Sequence, residues 1–93
     1  MKDRQIIWLP IVRSKLRQFR SERFTPEETF DYISQLVLEA EDMLKNPAIT
    51  VTYKEEFGVY KGLSRIVINK FRIYYEPVQS CITVVSVLFP GEK

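Results

Sequence analysis

The sequence contains no histidine, one cysteine (Cys81) and only three glycines, Gly58, Gly62 and Gly91. Without histidine there is no Ser-His-Asp or Cys-His catalytic pair, no HExxH metalloprotease helix and no His-ligated zinc. A single cysteine excludes a disulfide framework and a thiolate metal cluster. Set in an apolar, strand-like run, Cys81 reads as a small core residue. Three scattered glycines spell neither a GxGxxG loop nor a Walker loop. No apolar stretch approaches the ~20 residues of a membrane span. Ile6-Ile7-Trp8-Leu9 is too short for a signal-peptide core, and Pro10 and Arg13 follow it, so a soluble cytoplasmic protein is expected. The charge is also nearly balanced. Fourteen Lys and Arg against twelve Asp and Glu leave +2, far from the basicity of a duplex-binding protein. Neither a metal nor an organic cofactor is implied.

What remains is ample for a core. Of 93 residues, 45% are hydrophobic and 13% aromatic, which excludes disorder and fits a single domain over residues 1–93. Gln5 to Leu9 reads as a short strand. Pro10 stops it and suits a first helical turn, and Val12, Leu16 and Phe19 space a helix from Ile11 to about Glu22. Thr25-Pro26-Glu27-Glu28 is the clearest local signal. Thr25 is an N-cap, Pro26 the first helical residue, and Glu28 closes a capping box. The helix that follows should run to about Lys45, where Asn46-Pro47 ends it. Its expected core stripe is Phe30, Ile33, Val37, Ala40 and Leu44, with Tyr32, Leu36 and Met43 as a second stripe beside it.

Beyond Pro47 the pattern is β. A short strand is expected at Thr50–Tyr53 and a loop around Gly58. Leu63 to Ile68 alternates, with Leu63, Arg65 and Val67 on one face and Ser64, Ile66 and Ile68 on the other. Asn69-Lys70 suits a two-residue hairpin turn. Phe71, Ile73 and Tyr75 alternate with Arg72 and Tyr74. Glu76-Pro77-Val78-Gln79-Ser80 reads as a longer turn, and Cys81 to Phe89 as a central buried strand. The expected fold is α+β: an N-terminal strand, an α-helical hairpin, then a three-strand antiparallel meander. They form one twisted sheet, with the first strand beside the last and the helices on one face.

Charge divides between the helices. Residues 1–23 carry seven basic residues against Asp3 and Glu22, whereas 26–45 carry six acidic ones against Lys45. Either the two helices neutralise each other within the hairpin, or Arg13, Arg17 and Arg20 form a basic patch for an acidic partner. The acidic residues of the second helix form a solvated face with no ligand constellation. Tyr32, Leu36 and Met43 are either plain core or a partner-facing surface, and Trp8 is a core anchor. On the sheet, Arg65 and Arg72 with Lys61 and Lys54 have the charge to hold a phosphate. Glu55, Glu56, Tyr74 or Tyr75 have the acid–base chemistry that RNA cleavage needs, but the spacing selects none of them. In the structural alternative, Arg65 and Arg72 pair with Glu56 or Glu76.

The order of elements, with Trp8, Met43-Leu44-Lys45-Asn46-Pro47, Tyr60-Lys61-Gly62-Leu63-Ser64-Arg65, Phe71-Arg72-Ile73-Tyr74-Tyr75 and Val84-Val85-Ser86-Val87-Leu88, resembles the RelE/ParE superfamily of bacterial toxins from type II toxin–antitoxin systems. The resemblance covers essentially the whole chain. It implies a cognate antitoxin that shields an apolar groove with an amphipathic helix or an added strand, giving a toxin–antitoxin hetero-oligomer. RelE-like members are ribosome-dependent mRNA endonucleases, and that branch would use Lys61, Arg65, Arg72 and Tyr74. ParE-like members bind and poison DNA gyrase. RelE-like nucleases often carry a His or Arg and a Tyr after the last strand, where this chain has Phe89 and Pro90. The resemblance therefore favours the ParE-like branch, an interaction protein in place of an enzyme. An inactive relative with the toxin fold is the third alternative.

Overall fold

A computed structural model describes residues 5–46, 54–78 and 81–92. The elements run β1 (Gln5–Trp8), α1 (Pro10–Arg17), α2 (Pro26–Lys45), β2 (Ser64–Ile68), β3 (Phe71–Val78) and β4 (Cys81–Leu88). The α+β class stands, as two helices and one four-stranded mixed sheet of order β1-β4-β3-β2. β2–β3 and β3–β4 are antiparallel, and β1 is parallel to β4, with Gln5 opposite Cys81 and Trp8 opposite Val84. The strand expected at Thr50–Tyr53 lies outside the described residues.

The α2 start follows the sequence closely. Thr25 Oγ1 accepts the Glu28 N–H at 3.1 Å, and the Glu28 carboxylate accepts the Thr25 N–H at 2.8 Å. This pairing satisfies two otherwise orphaned groups at the helix end. At the other end Asn46 is extended and closes the helix before Pro47.

Helix α1 is shorter than expected, ending at Arg17 and not near Glu22. The chain leaves the helix so that Phe19 and Phe24 can turn inward. Phe19 meets Phe71 at 5.1 Å and Phe89 at 5.2 Å between centroids, and Phe24 lies 5.0 Å from Tyr32. The Arg20 guanidinium occupies the freed end, donating to the Arg17 and Phe19 carbonyls at 2.7 Å each. A basic group placed there suits the negative end of the helix dipole.

The core lies between the helices and one sheet face. Val12, Leu16, Leu36, Ala40 and Leu44 pack on Ile66, Ile68, Phe71, Ile73, Tyr75, Ile82, Val84 and Val87. Trp8 is buried here as expected, and its indole N–H donates to Glu41 at 2.9 Å, so this one acid of α2 is tied to β1. The expected α2 stripe needs rotating. Phe30 is 73% exposed and Ile33 and Val37 only half-buried, while Leu36, from the second stripe, is 2% exposed. The two stripes adjoin on the helix, and which one faces the sheet is decided by tertiary packing.

Strand β3 runs on through Glu76–Val78, so the segment expected as a long turn is mostly strand. A register shift sits between Tyr74 and Tyr75: Tyr74 faces Ser86, but Tyr75 faces Val84, which leaves Val85 as the extra residue of a bulge. The bulge lets Ile82, Val84 and Val87 all reach the core although their spacing is two and then three. The turn between β2 and β3 is tight. Ile68 pairs with Phe71, and Asn69 and Lys70 both have positive φ, 49° and 70°. Asn tolerates this region and Lys does not. Lys70→Gly is expected to raise the unfolding free energy read from urea melts by roughly 0.5 kcal/mol after the extra backbone entropy of glycine is subtracted.

Candidate functional site

Two surfaces stand out, one on the sheet and one on the helices. The sheet face turned away from the helices carries a cross-strand row, Arg65 opposite Tyr74 and Tyr74 opposite Ser86, with Val67 and Arg72 beside it. The loop between Lys54 and Ser64 folds over this row. It is closed by the Lys54–Ser64 bridge and by two backbone bonds, from the Glu55 N–H to the Leu63 carbonyl (2.7 Å) and from the Gly62 N–H to the Glu55 carbonyl (2.9 Å). Gly62 makes the return with φ at 90°, a region that side chains resist. The loop lays the Tyr60 ring on Tyr74, at 4.1 Å between centroids and 12° between planes, and Ser86 Oγ donates to the Tyr60 hydroxyl at 3.3 Å.

The two arginines of this face already have partners. Arg65 pairs with Glu55 at 3.7 Å. The Arg72 guanidinium donates to the Glu92 carbonyl. Both arginines therefore act in the fold as the structural alternative expected, but through Glu55 and a main-chain oxygen in place of Glu56 or Glu76. Tyr74 is 2% exposed under Tyr60, so its hydroxyl is poorly placed to exchange protons with a bound substrate. Lys61 is exposed at the loop end. The tip of this loop presents Phe57, 81% exposed, and Val59, 90% exposed. Sequence reasoning passed over both, along with Tyr60 and Ser86. The available signal was a pair of large apolar residues flanking a turn glycine, in a segment with no core periodicity.

The C-terminal turn braces the same side. The Glu92 carboxylate accepts from Lys15 Nζ and from the Phe89 N–H, both at 2.8 Å, and Lys15 also donates to the Val87 carbonyl at 2.8 Å. The hydrogen bond from the Lys15 ammonium, aided by the Phe89 N–H, holds the Glu92 carboxyl below its ordinary value of 4.5. A carboxyl more acidic in the folded state stabilises the fold above its unfolded value, and that contribution is lost as pH falls through the lower folded value. Glu92→Gln is therefore expected to lower the urea midpoint at neutral pH. The gap to wild type should close as the pH drops below 4.5. A gap that stays constant with pH excludes this origin.

The second surface is a groove of about 380 Å³ between the helices, with Leu16, Phe30, Ile33 and Val37 at its apolar floor and Arg13, Arg17 and Arg20 along its α1 side. Neutralisation within the hairpin does not occur here. The described ion pairs are Lys15–Glu92 and Arg65–Glu55, and none of the three arginines meets a carboxylate among the described residues. Arg13 and Arg17 are exposed, and Arg20 donates to the two carbonyls already named. The predicted basic patch is thus assembled at the mouth of an apolar groove.

The other expected partner-facing group is not. Leu36 is in the core, Tyr32 is packed among Phe19, Phe24 and Phe71, and Met43 is half-buried against the core. These residues hold α2 to the sheet, and the apolar surface left open to a partner is Phe30 with its neighbours.

Among the described residues no group of three or more His, Cys, Asp or Glu is placed to hold a metal, and no helix is long and apolar enough to cross a membrane. No family model matches the chain, and neither a curated protein nor a solved structure matches it.

Proposed function

We propose that this chain is the toxin of a type II toxin–antitoxin pair of the RelE/ParE kind, nearer the ParE-like branch, acting in the cytoplasm by binding and inhibiting DNA gyrase. One observation carries the preference for binding over cutting: on the open sheet face Arg65 and Arg72 are already paired and Tyr74 is covered, so the two arginines and the tyrosine of a cleaving site are engaged within the fold. The exposed Phe57 and Val59 beside that face supply apolar contact area of the sort protein partners use. The groove, whose three arginines meet no carboxylate among the described residues, suits the acidic, amphipathic segment of an antitoxin.

Induced expression is expected to arrest growth, and the purified chain to inhibit supercoiling by gyrase, with both effects relieved by the protein of the neighbouring open reading frame. Unchanged supercoiling at excess protein overturns the gyrase assignment.

A ribosome-dependent mRNA endonuclease is the second reading. It is favoured by the proximity of Lys61, Arg65, Tyr60 and Tyr74 on one side of the sheet, where a base has a ring to stack on and a phosphate a cation to meet. Cuts in mRNA at the ribosomal A site would transfer the assignment to this reading. A chain that arrests no growth is the inactive relative.

A further inference from the structure

The hairpin groove has a property that neither helix shows alone. Its α1 side is basic, through Arg13, Arg17 and Arg20, and none of these meets a carboxylate among the described residues. Its α2 side is led by Phe30, which lies in the groove lining yet is 73% exposed. Glu27 stands three residues before Phe30, and Asp31 is the next residue. Both are exposed, on the part of α2 that turns away from the core. Crossing the outer face of the hairpin, the order is therefore basic ridge, apolar floor, acidic ridge.

A surface of that kind is complementary to itself. A two-fold axis lying in the contact plane, parallel to the groove, sets the basic ridge of one copy against the acidic ridge of the other, and does so twice. This is the requirement of an isologous contact. We propose that two copies of this chain pair through the outer faces of their helical hairpins, each Phe30 entering the other's groove between α1 and α2.

The available area is consistent with a reversible dimer. A 20-residue helix such as α2 is about 30 Å long. Helix α1, with eight residues, adds only about 12 Å, so at roughly 10 Å of width per helix each copy offers roughly 400 Å² and the pair about 800 Å². That is below the standard size of specific interfaces and belongs to weak, transient pairing, so the charge complementarity has to supply the specificity. Pairing of this kind does not depend on the toxin reading. If that reading also holds, the antitoxin segment and the second copy compete for one groove.

The test is sedimentation velocity on the purified full chain over a dilution series. Wild type is expected to pass from dimer to monomer in the micromolar range. Arg13→Glu with Arg17→Glu makes both ridges acidic, and Glu27→Lys with Asp31→Lys makes both basic. Each double variant is expected to be monomeric alone, with unchanged circular dichroism because all four positions are exposed. Mixed in equal amounts, the two should form a heterodimer at least as tight as wild type, with an affinity that weakens as salt is added. Phe30→Ala should weaken the wild-type dimer tenfold or more while the monomer stays folded.

A wild-type chain that is monomeric throughout overturns the proposal. So does a dimer indifferent to all these changes, or a failure of the two charge variants to pair. A monomer that instead binds a synthetic acidic amphipathic peptide in the groove assigns the surface to a foreign helix and not to a second copy. Growth arrest is read separately: dimer without arrest removes the toxin reading and leaves the pairing intact.

Discussion

Phe71→Ala is expected to bring the domain close to unfolding. The ring is fully buried at the start of β3, and it joins the sheet to three other parts of the chain: Phe19 at 5.1 Å, Phe89 at 5.7 Å and Tyr32 at 6.2 Å between centroids. Removing it deletes one of the largest core side chains and separates the others. The expected cost is about 3–5 kcal/mol. A domain of this size has a total stability of roughly 5–15 kcal/mol. The corresponding fall in Tm is about 15–30 °C, read by circular dichroism during heating. Phe71→Leu keeps much of the volume and should retain more than half of the lost stability. If Phe71→Ala costs under about 1 kcal/mol, the aromatic cluster is not where the fold is held.

The second large effect compares two residues of α2. Leu36→Asp is expected to destabilise by more than about 3 kcal/mol, because an unpaired carboxylate enters the core beneath the helix. Phe30→Asp, six residues earlier and at a bulkier apolar side chain, is expected to change the unfolding free energy by under about 1 kcal/mol. Hydropathy alone gives the opposite ranking, since it places Phe30 on the core stripe and leaves Leu36 as a possible contact for a partner. Equal effects of the two substitutions would mean that α2 sits on the sheet in a different rotation.

That contrast marks where the sequence stops informing. The capping box at Thr25 and the Asn69-Lys70 turn are local devices, each decided by a few neighbouring residues, and both are readable in the sequence. The alternation of Ser64, Ile66 and Ile68 against Arg65 and Val67 is readable for the same reason, because a strand has only two faces. Helix α2 has a continuous circumference, and its apolar residues cover nearly half of it. The choice between Phe30 and Leu36 is then settled by the shape of the sheet below. Helix α1 is overestimated in length because Phe19 continues the helical spacing, while the aromatic cluster that draws it out of the helix is assembled from Phe71 and Phe89, far along the chain. On the open sheet face the arginines were identifiable and their partners were not. Glu55 reaches Arg65 only because the loop doubles back at Gly62, and Arg72 is held by a main-chain oxygen that no side-chain pattern reveals. The basic patch was the opposite case. Arg13 and Arg17 are one turn apart on α1, so their clustering follows from spacing, while Arg20, beyond the helix end, joins them by folding back onto the Arg17 carbonyl.

The position of β4 between β1 and β3 has a consequence for the order in which the molecule can form. Of the described strands, β1 is made first, and its only described neighbour is β4, made last. Until β4 arrives, β1 lacks its described partner. Over the same interval Val12, Leu16, Leu36 and Leu44 have no complete sheet to cover. Closing that pairing spans nearly the whole sequence, which places the domain among the slower folders of its size. It also means that synthesis passes through an interval in which amphipathic helices are exposed and unaccompanied. A chaperone, or any partner that recognises such helices, would meet this chain before its sheet exists.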